Sequence, residues 1–228
     1  MKKFIVIFII LSLLLTGCQD IQPVNNKDTT KQNNEYTAKQ NNEDIQNVIN
    51  SSDKIIIKKQ LVTMNAGYDV LIDNKKVATV DGKYVTLFGD VFSLNDKYGN
   101  KLSSEKQIKR WNIKINRLAE VFDLNDETIG FIGEEKFKDF LKYGYKFHFY
   151  DKEKNEIAYT KDIFFSILKK LEIYNMQNEM DYIISENFNI AKNQYTIEIK
   201  NKESIIPVNS IILFTCIIDT IMTSENEK

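Results

Sequence analysis

Cysteine, proline and histidine are all scarce in this chain of 228 residues. It has two cysteines, Cys18 and Cys216, two prolines and one histidine, His148. Two cysteines cannot supply a Cys/His zinc cluster or a disulfide framework, and a Ser-His-Asp or Cys-His site would have to use His148. A phosphate-binding GxxxxGK[ST] loop is also missing. We therefore expect a protein that is not an enzyme and that has no metal and no cofactor.

An excess of charge of either sign is lacking as well. The formal net charge is −1, which argues against nucleic acid as a partner, because phosphate binding requires a basic excess. The acidic pair Glu134/Glu135 would serve a glycosidase only in a cleft, and we expect it at turn or solvated positions. Alternation in "YKFHFYDK" places His148 on the solvent side, opposite two phenylalanines. Trp111 is most simply a core residue.

The first 17 residues have the order of a secretory signal. Two lysines precede a 12-residue apolar stretch, Phe4 to Leu15, and small residues and a cysteine follow. "LTGC" resembles the lipobox of bacterial lipoproteins. That resemblance implies cleavage before Cys18, lipid attachment to Cys18, and a place at the extracytoplasmic face of the cell membrane. The alternatives are an ordinary signal peptide or an uncleaved anchor.

A polar segment follows the signal. Residues 18–52 are dominated by Asn, Gln, Lys, Asp and Thr, and "KQNNE" occurs twice. Such a composition has too little apolar surface to offset ordering. We expect a lipidated cysteine on a disordered tether that lets the domain, residues 53–228, sample the membrane surface. A brief helix around "NEDIQNVIN" is the one structured alternative.

The domain contains a loose repeat of hairpin-like units. "YDVLIDNKKVATV", "DVFSLNDKYGNKLSS" and "YKFHFYDKEKNEIAYT" each join alternating apolar residues through a turn rich in Asp, Asn, Gly or Lys. This pattern predicts β-hairpins. In "YTIEIK", Tyr195, Ile197 and Ile199 are expected to face the core. Five such units with flanking strands predict ten to twelve antiparallel strands in a sandwich or a closed barrel.

The apolar run "PVNSIILFTCIIDTIM" near the carboxyl end has three interpretations. As a membrane span, residues 208–222 would reach about 22 Å, short of the roughly 30 Å hydrocarbon core. As a core strand the run is long. As a helix it is apolar nearly all round, so it must be buried nearly all round, with Thr215 and Asp219 on the narrow polar side. We prefer the helix, because a closed sheet needs its middle filled.

A many-stranded antiparallel domain with an apolar carboxyl-terminal helix resembles the tubby C-terminal-like family, especially its LURP-one-related branch. The hairpin units from "GYDVLIDNKKVATVDGKYVTLFGDVFSLNDKYGN" to "YKFHFYDKEKNEIAY" and the terminal "VNSIILFTCIID" carry the resemblance. It implies a mainly β fold, an antiparallel barrel of about twelve strands that encloses the helix. It also implies a non-enzymatic binding module at membranes, since tubby domains bind phosphoinositides.

One local charge feature remains. "EKQIKRWNIKINR" holds Lys106, Lys109, Arg110, Lys114 and Arg117 around a tryptophan. A basic strip with an aromatic residue suits contact with anionic lipid or wall polymer; the alternative is an ordinary solvated strand pair. We expect a lipid-anchored module that binds lipid headgroups or another envelope component, or else a structural scaffold that binds an envelope protein and no small ligand.

Overall fold

Twelve antiparallel strands form a closed barrel in the computed structural model. It describes residues 43–60, 66–83, 91–109, 111, 113–139, 142–163, 170–189 and 192–226, all within one unit of the chain, Gln40–Lys228. The strands are β1 Lys54–Lys59, β2 Gly67–Ile72, β3 Lys75–Lys83, β4 Val91–Asp96, β5 Lys101–Ile108, β6 Arg117–Phe122, β7 Thr128–Asp139, β8 Lys142–Tyr150, β9 Glu156–Thr160, β10 Lys170–Asn175, β11 Met180–Asn189 and β12 Lys192–Ile199.

Every strand pairs with its neighbours in sequence, and β1 pairs with both β2 and β12 to close the sheet. Because the sheet is closed, none of these twelve strands has an unpaired edge that could pair with another chain. The hairpin interpretation is confirmed, because each repeated unit folds as one hairpin. The predicted alternation in β12 is confirmed too, since Tyr195, Ile197 and Ile199 belong to the core.

Four of the hairpins, beginning with the one between β4 and β5, share one turn design. An Asp or Asn at the end of the first strand, or directly after it, accepts hydrogen bonds from later backbone N–H groups, as Asp96 does from Tyr98 and Asn100 at 2.8 Å each. Three residues after that Asp or Asn, the chain takes a positive φ, at Gly99, Asp126, Lys154 and Asn178. Asp and Asn stabilise such turns through their side chains. The repeated sequence pattern is therefore a repeated turn, and these turns lie together at one end of the barrel, which we call the turn end.

The closing run is a helix, Val208–Asn226, that packs inside the barrel. Residues Ile211 to Cys216 are all buried. The ring of Phe214 meets Phe147 and Phe149 edge to face at 4.9 and 5.0 Å, so helix and inner wall form one core. The predicted helix is confirmed, and it extends a turn beyond residue 222.

A second helical segment, residues 43–51, precedes β1. Its Ile49 is fully buried in the same core, and Asn209 at the start of the closing helix donates a hydrogen bond to Gln46 at 2.7 Å. The folded part therefore includes this segment, which is the helix that the sequence left open around "NEDIQNVIN". One amphipathic turn in a polar stretch is enough to bury this isoleucine in the barrel core.

Candidate functional site

We call the end of the barrel opposite the turns the mouth. Polar side chains inside the barrel lie at this end. The closing helix begins at the turn end, where Tyr182 Oη donates to the carbonyl of Ile206 at 2.7 Å. Its second half reaches the last residue of β1, Lys59, and the second residue of β2, Tyr68. The helix thus runs through the barrel and brings its Asp219 to the mouth.

Asp219 is a buried carboxylate with three donors on the barrel wall. Its Oδ2 accepts from Lys59 Nζ at 2.7 Å and from Tyr68 Oη at 2.8 Å. Its Oδ1 accepts from Tyr195 Oη at 2.8 Å. Burial and the negative charge of Asp219 raise the pKa of Tyr195 well above its usual range, so the phenol keeps its proton and donates. The helix is therefore tied to the β12–β1–β2 side of the wall.

Glu186 on β11 faces inward next to this network. One of its oxygens is buried with no hydrogen-bond partner among the described residues. Burial, and then the charge of Asp219, raise the pKa of Glu186, because both disfavour the ionised carboxylate. The interior of the mouth thus holds a second carboxyl group beside Asp219, which the sequence pattern did not indicate.

A cavity lies on the other side of the helix. It is small, with a volume of about 40 Å³, and is partly open to solvent. Its apolar lining includes Phe92, Ile132, Phe147, Ile217 and Ile221, and its charged lining consists of Glu105, Glu134 and Arg117. Glu134 was expected at a turn or a solvated position; it instead faces inward on β7 and is buried, so that expectation is wrong.

The β5–β6 loop spans residues 109–116, and its described residue Trp111 lies against the outer wall. Trp111 packs edge to face on Phe131 at 4.8 Å and on Tyr150 at 5.7 Å between ring centroids. Trp111 is nevertheless 40% exposed, and Ile113 is 89% exposed. The prediction that Trp111 is a core residue is therefore wrong: one face covers an outer aromatic cluster and the rest meets solvent.

The five predicted basic contact residues do not share one surface. Lys109 and Lys114 are exposed on the β5–β6 loop, and Lys106 is exposed on the outer wall opposite Glu120. Arg117 lies at an inward-facing position and lines the mouth cavity. Arg110 lies outside the described residues, as does Cys18. The lysines of the loop are joined by Lys154 from the β8–β9 turn, whose Nζ is 4.8 Å from the centre of the Trp111 ring.

His148 lies on the outer wall, as the alternation predicts, but its neighbours bury it. Its Nδ1 is 2.9 Å from Glu156 Oε1, and its Nε2 is 3.0 Å from Glu135 Oε2. Both contacts are hydrogen bonds to ionised carboxylates only when both ring nitrogens carry a proton. Burial, and then the charges of the same two glutamates, raise the pKa of Tyr150 to about 12. This arrangement ties β7 to β9 and leaves no nitrogen of His148 for a nucleophile.

The described residues offer little for covalent or metal chemistry. Cys216 is buried in the helix, and burial raises the pKa of its thiol, which suppresses the reactive thiolate. Within the described ranges no group of three His, Cys, Asp or Glu side chains is arranged to hold a metal ion. None of the helices described is long and apolar enough to cross a membrane.

Comparison with known proteins gives one structural likeness. No protein-family model matches the sequence, and no curated protein matches it. The chain is similar in shape to the X-ray structure of a protein from Arabidopsis thaliana, with a TM-score of 0.47 and 12% identity, over 75% of this chain and 93% of the plant chain. The assignment of function therefore rests on the geometry of the described residues.

Proposed function

We propose that this protein is a bacterial surface lipoprotein, anchored through Cys18, whose barrel is a non-enzymatic module that binds anionic lipid headgroups. The observation that carries the proposal is the β5–β6 loop. It presents Ile113, almost fully exposed, beside a half-exposed Trp111. A soluble domain gains nothing from such a pair in water, whereas a membrane interface buries it.

Three lysines belong to this region. Lys109 and Lys114 are exposed on the same loop, and Lys154 Nζ lies 4.8 Å from the centre of the Trp111 ring. Each basic residue near an anionic membrane surface contributes about 1 kcal/mol, and this contribution falls as salt screens it. Apolar insertion and electrostatic attraction then act at the same place, the usual combination for reversible binding at an interface.

We also propose that the domain belongs to the tubby-like group, in its LURP-one-related branch. The support is a barrel of twelve antiparallel strands that encloses a carboxyl-terminal helix, the arrangement that the resemblance implies. Because one fold hosts many functions, this membership adds only an analogy to the membrane proposal.

Flotation with vesicles tests the proposal. The chain from Gln19 onward lacks the lipidation site and keeps all described residues. It is expected to float with phosphatidylglycerol vesicles at low salt, to detach as salt rises, and to ignore phosphatidylcholine vesicles. Replacing Lys109, Arg110 and Lys114 by Ser, or Ile113 by Ser, should reduce the bound fraction severalfold.

Matched controls lie at the turn end. Ile205→Ser changes a second exposed isoleucine, and the pair Lys75→Ser and Lys97→Ser removes exposed lysines from the start of β3 and from the β4–β5 turn. These variants should float like the parent chain. Equal flotation of all variants would show that the loop does not bind the vesicles, and no flotation of the parent would favour the alternative function, a scaffold for an envelope protein.

A further inference from the structure

One histidine and two glutamates lie together on the outer wall. His148 on β8 lies between Glu135 on β7 and Glu156 on β9, with its Nε2 3.0 Å and its Nδ1 2.9 Å from their carboxylate oxygens. We propose that these three side chains, which we call the clamp, form a pH-sensitive device that holds the β5–β6 loop in its membrane-binding arrangement while His148 is doubly protonated. The inference concerns the regulation of that loop and therefore rests on the proposed function.

The two contacts of the clamp require an imidazolium ring. A neutral imidazole carries one N–H, so its other nitrogen would turn a lone pair toward a carboxylate oxygen. Moving the second proton to a glutamate is unfavourable, because an ordinary carboxyl group is about two pH units less basic than imidazole. His148 is buried, so water has little access to replace a lost contact. Loss of one proton therefore breaks one contact of the clamp and makes its formal charge more negative by one.

The groups around the clamp leave His148 as its titrating member. On β8, Lys146 and Tyr150 share the outward face with His148, and on β9 Tyr159 pairs with His148 across the ladder. Lys146 Nζ lies 5.1 Å from the centre of the Tyr159 ring, and Lys146 pairs with Glu135 on β7. Burial, and then the charges of the two glutamates, raise the pKa of Tyr150 to about 12. Among these residue types, only histidine ordinarily changes its charge between about pH 5 and 8.

The clamp is joined to the β5–β6 loop by two routes. Glu156 begins β9 directly after the β8–β9 turn, whose Lys154 Nζ is 4.8 Å from the centre of the Trp111 ring. Tyr150 stacks on His148 at 6.3 Å and meets Trp111 at 5.7 Å between ring centroids. β9 has only five residues and is the shortest of the twelve described strands. The backbone therefore contributes little to holding this turn once the clamp is broken.

A rise in pH then weakens binding to anionic lipid in two ways. The freed β8–β9 turn no longer holds Lys154 over Trp111, so the loop loses a basic neighbour and part of its support. The additional negative charge on the clamp also repels anionic headgroups, since charges of the same sign repel. We expect the loop to bind phosphatidylglycerol vesicles more tightly at about pH 5 than at about pH 8.

Measurements without lipid test the clamp by itself. His148 is the single histidine and Trp111 the single tryptophan of the chain, so each gives one unambiguous signal. In the chain from Gln19 onward, the NMR shifts of the imidazole nitrogens should show two protonated nitrogens at about pH 5 and one at about pH 8. Quenching of Trp111 fluorescence by acrylamide should rise about twofold over that range, with the same midpoint as the histidine titration.

A matched pair of variants separates the clamp from simple charge. In Glu156→Gln, the amide can accept from an N–H or donate to a lone pair, so it suits His148 in either protonation state. The pH dependence of Trp111 quenching should therefore be lost. Glu153→Gln removes a negative charge from an exposed side chain of the same turn and should keep the pH dependence. Thermal unfolding will show that both variants are folded.

Vesicles then test the regulation of the loop. The fraction bound to phosphatidylglycerol vesicles should fall severalfold from about pH 5 to about pH 8 for the parent chain and Glu153→Gln, and much less for Glu156→Gln. Quenching that follows His148 without any vesicle binding would support the clamp and overturn the membrane role of the loop. Trp111 quenching that does not follow the titration of His148, or a folded Glu156→Gln protein with the pH dependence of the parent, would overturn the clamp.

Discussion

At the residue scale, Asp219 decides how the closing helix sits. A carboxylate in an apolar helix is tolerated because three donors from the wall surround it. The sequence showed that Asp219 is isolated in its apolar run, but its partners Lys59, Tyr68 and Tyr195 could not be predicted. They come from strands up to 160 residues away, and local patterns do not determine which strand positions meet a helix.

The first prediction concerns this network. Asp219→Ala leaves two buried hydroxyls and an ammonium group without their acceptor, and breaking a buried charge pair in this way destabilises by about 3–5 kcal/mol. Tyr195→Phe removes a single hydrogen bond to a charged group and should cost about 1.5–3 kcal/mol. Urea unfolding followed by circular dichroism measures both values. A loss below about 0.5 kcal/mol for Asp219→Ala, the range of surface substitutions, would contradict the network.

The second prediction is a pH dependence at Glu186. The folded protein raises the pKa of this carboxyl, so it holds the proton more tightly than the unfolded chain does. The stability present in acid is therefore lost as pH rises from the usual carboxyl range, about pH 4, through the raised value. Glu186→Gln should increase the free energy of unfolding at pH 7, and this gain should vanish near pH 4. A gain of equal size at both values would show that charge is not the cause.

At the element scale, most strands and turns could be predicted from the alternation of apolar residues and from the residue types of the turns. The hairpins were predictable from alternating apolar residues and from turns with Asp or Asn, and the helix from its apolar run. The pattern left a sandwich and a barrel open, and the family resemblance implied the barrel of about twelve strands. The β5–β6 loop was not predictable, since nothing in "KRWNIKIN" indicates that Trp111 packs on the outer wall. The inward direction of Glu105 and Glu134 was missed for a related reason: a glutamate in an alternating strand is expected to face water, and only closure of the barrel shows which face is inside.

The third prediction tests the short helix before β1. Its Ile49 is fully buried, whereas its neighbour Val48 is about half exposed. Ile49→Ala should lower the free energy of unfolding by about 2–4 kcal/mol, as for other buried aliphatic truncations, and Val48→Ala should stay within about 0.5 kcal/mol. Equal effects of the two substitutions in thermal or urea unfolding would mean that the segment is not part of the core.

At the scale of the whole molecule, the sequence predicts an anchor and a polar tether before the barrel. The lipobox resemblance at "LTGC" predicts the anchor, and the folded domain begins with the helical segment at residues 43–51. Between Cys18 and that segment stand 24 residues.

The fourth prediction follows from the anchor. Cys18→Ala should leave an unprocessed precursor that takes up no labelled fatty acid, because the acceptor sulfur is gone. Cys216→Ala is the control, since it removes the other thiol and should leave labelling intact. Normal processing and labelling of the Cys18→Ala protein would show that the segment is not a lipoprotein signal.

The proposed contact of the β5–β6 loop with the membrane has a reporter in the native sequence. Trp111 is the single tryptophan of the chain, so its fluorescence reports on the loop alone. With the chain from Gln19 onward, phosphatidylglycerol vesicles should shift its emission to shorter wavelength, brominated lipids should quench it, and high salt should reverse both effects. Vesicle-bound protein whose Trp111 emission is unshifted and unquenched would contradict this contact.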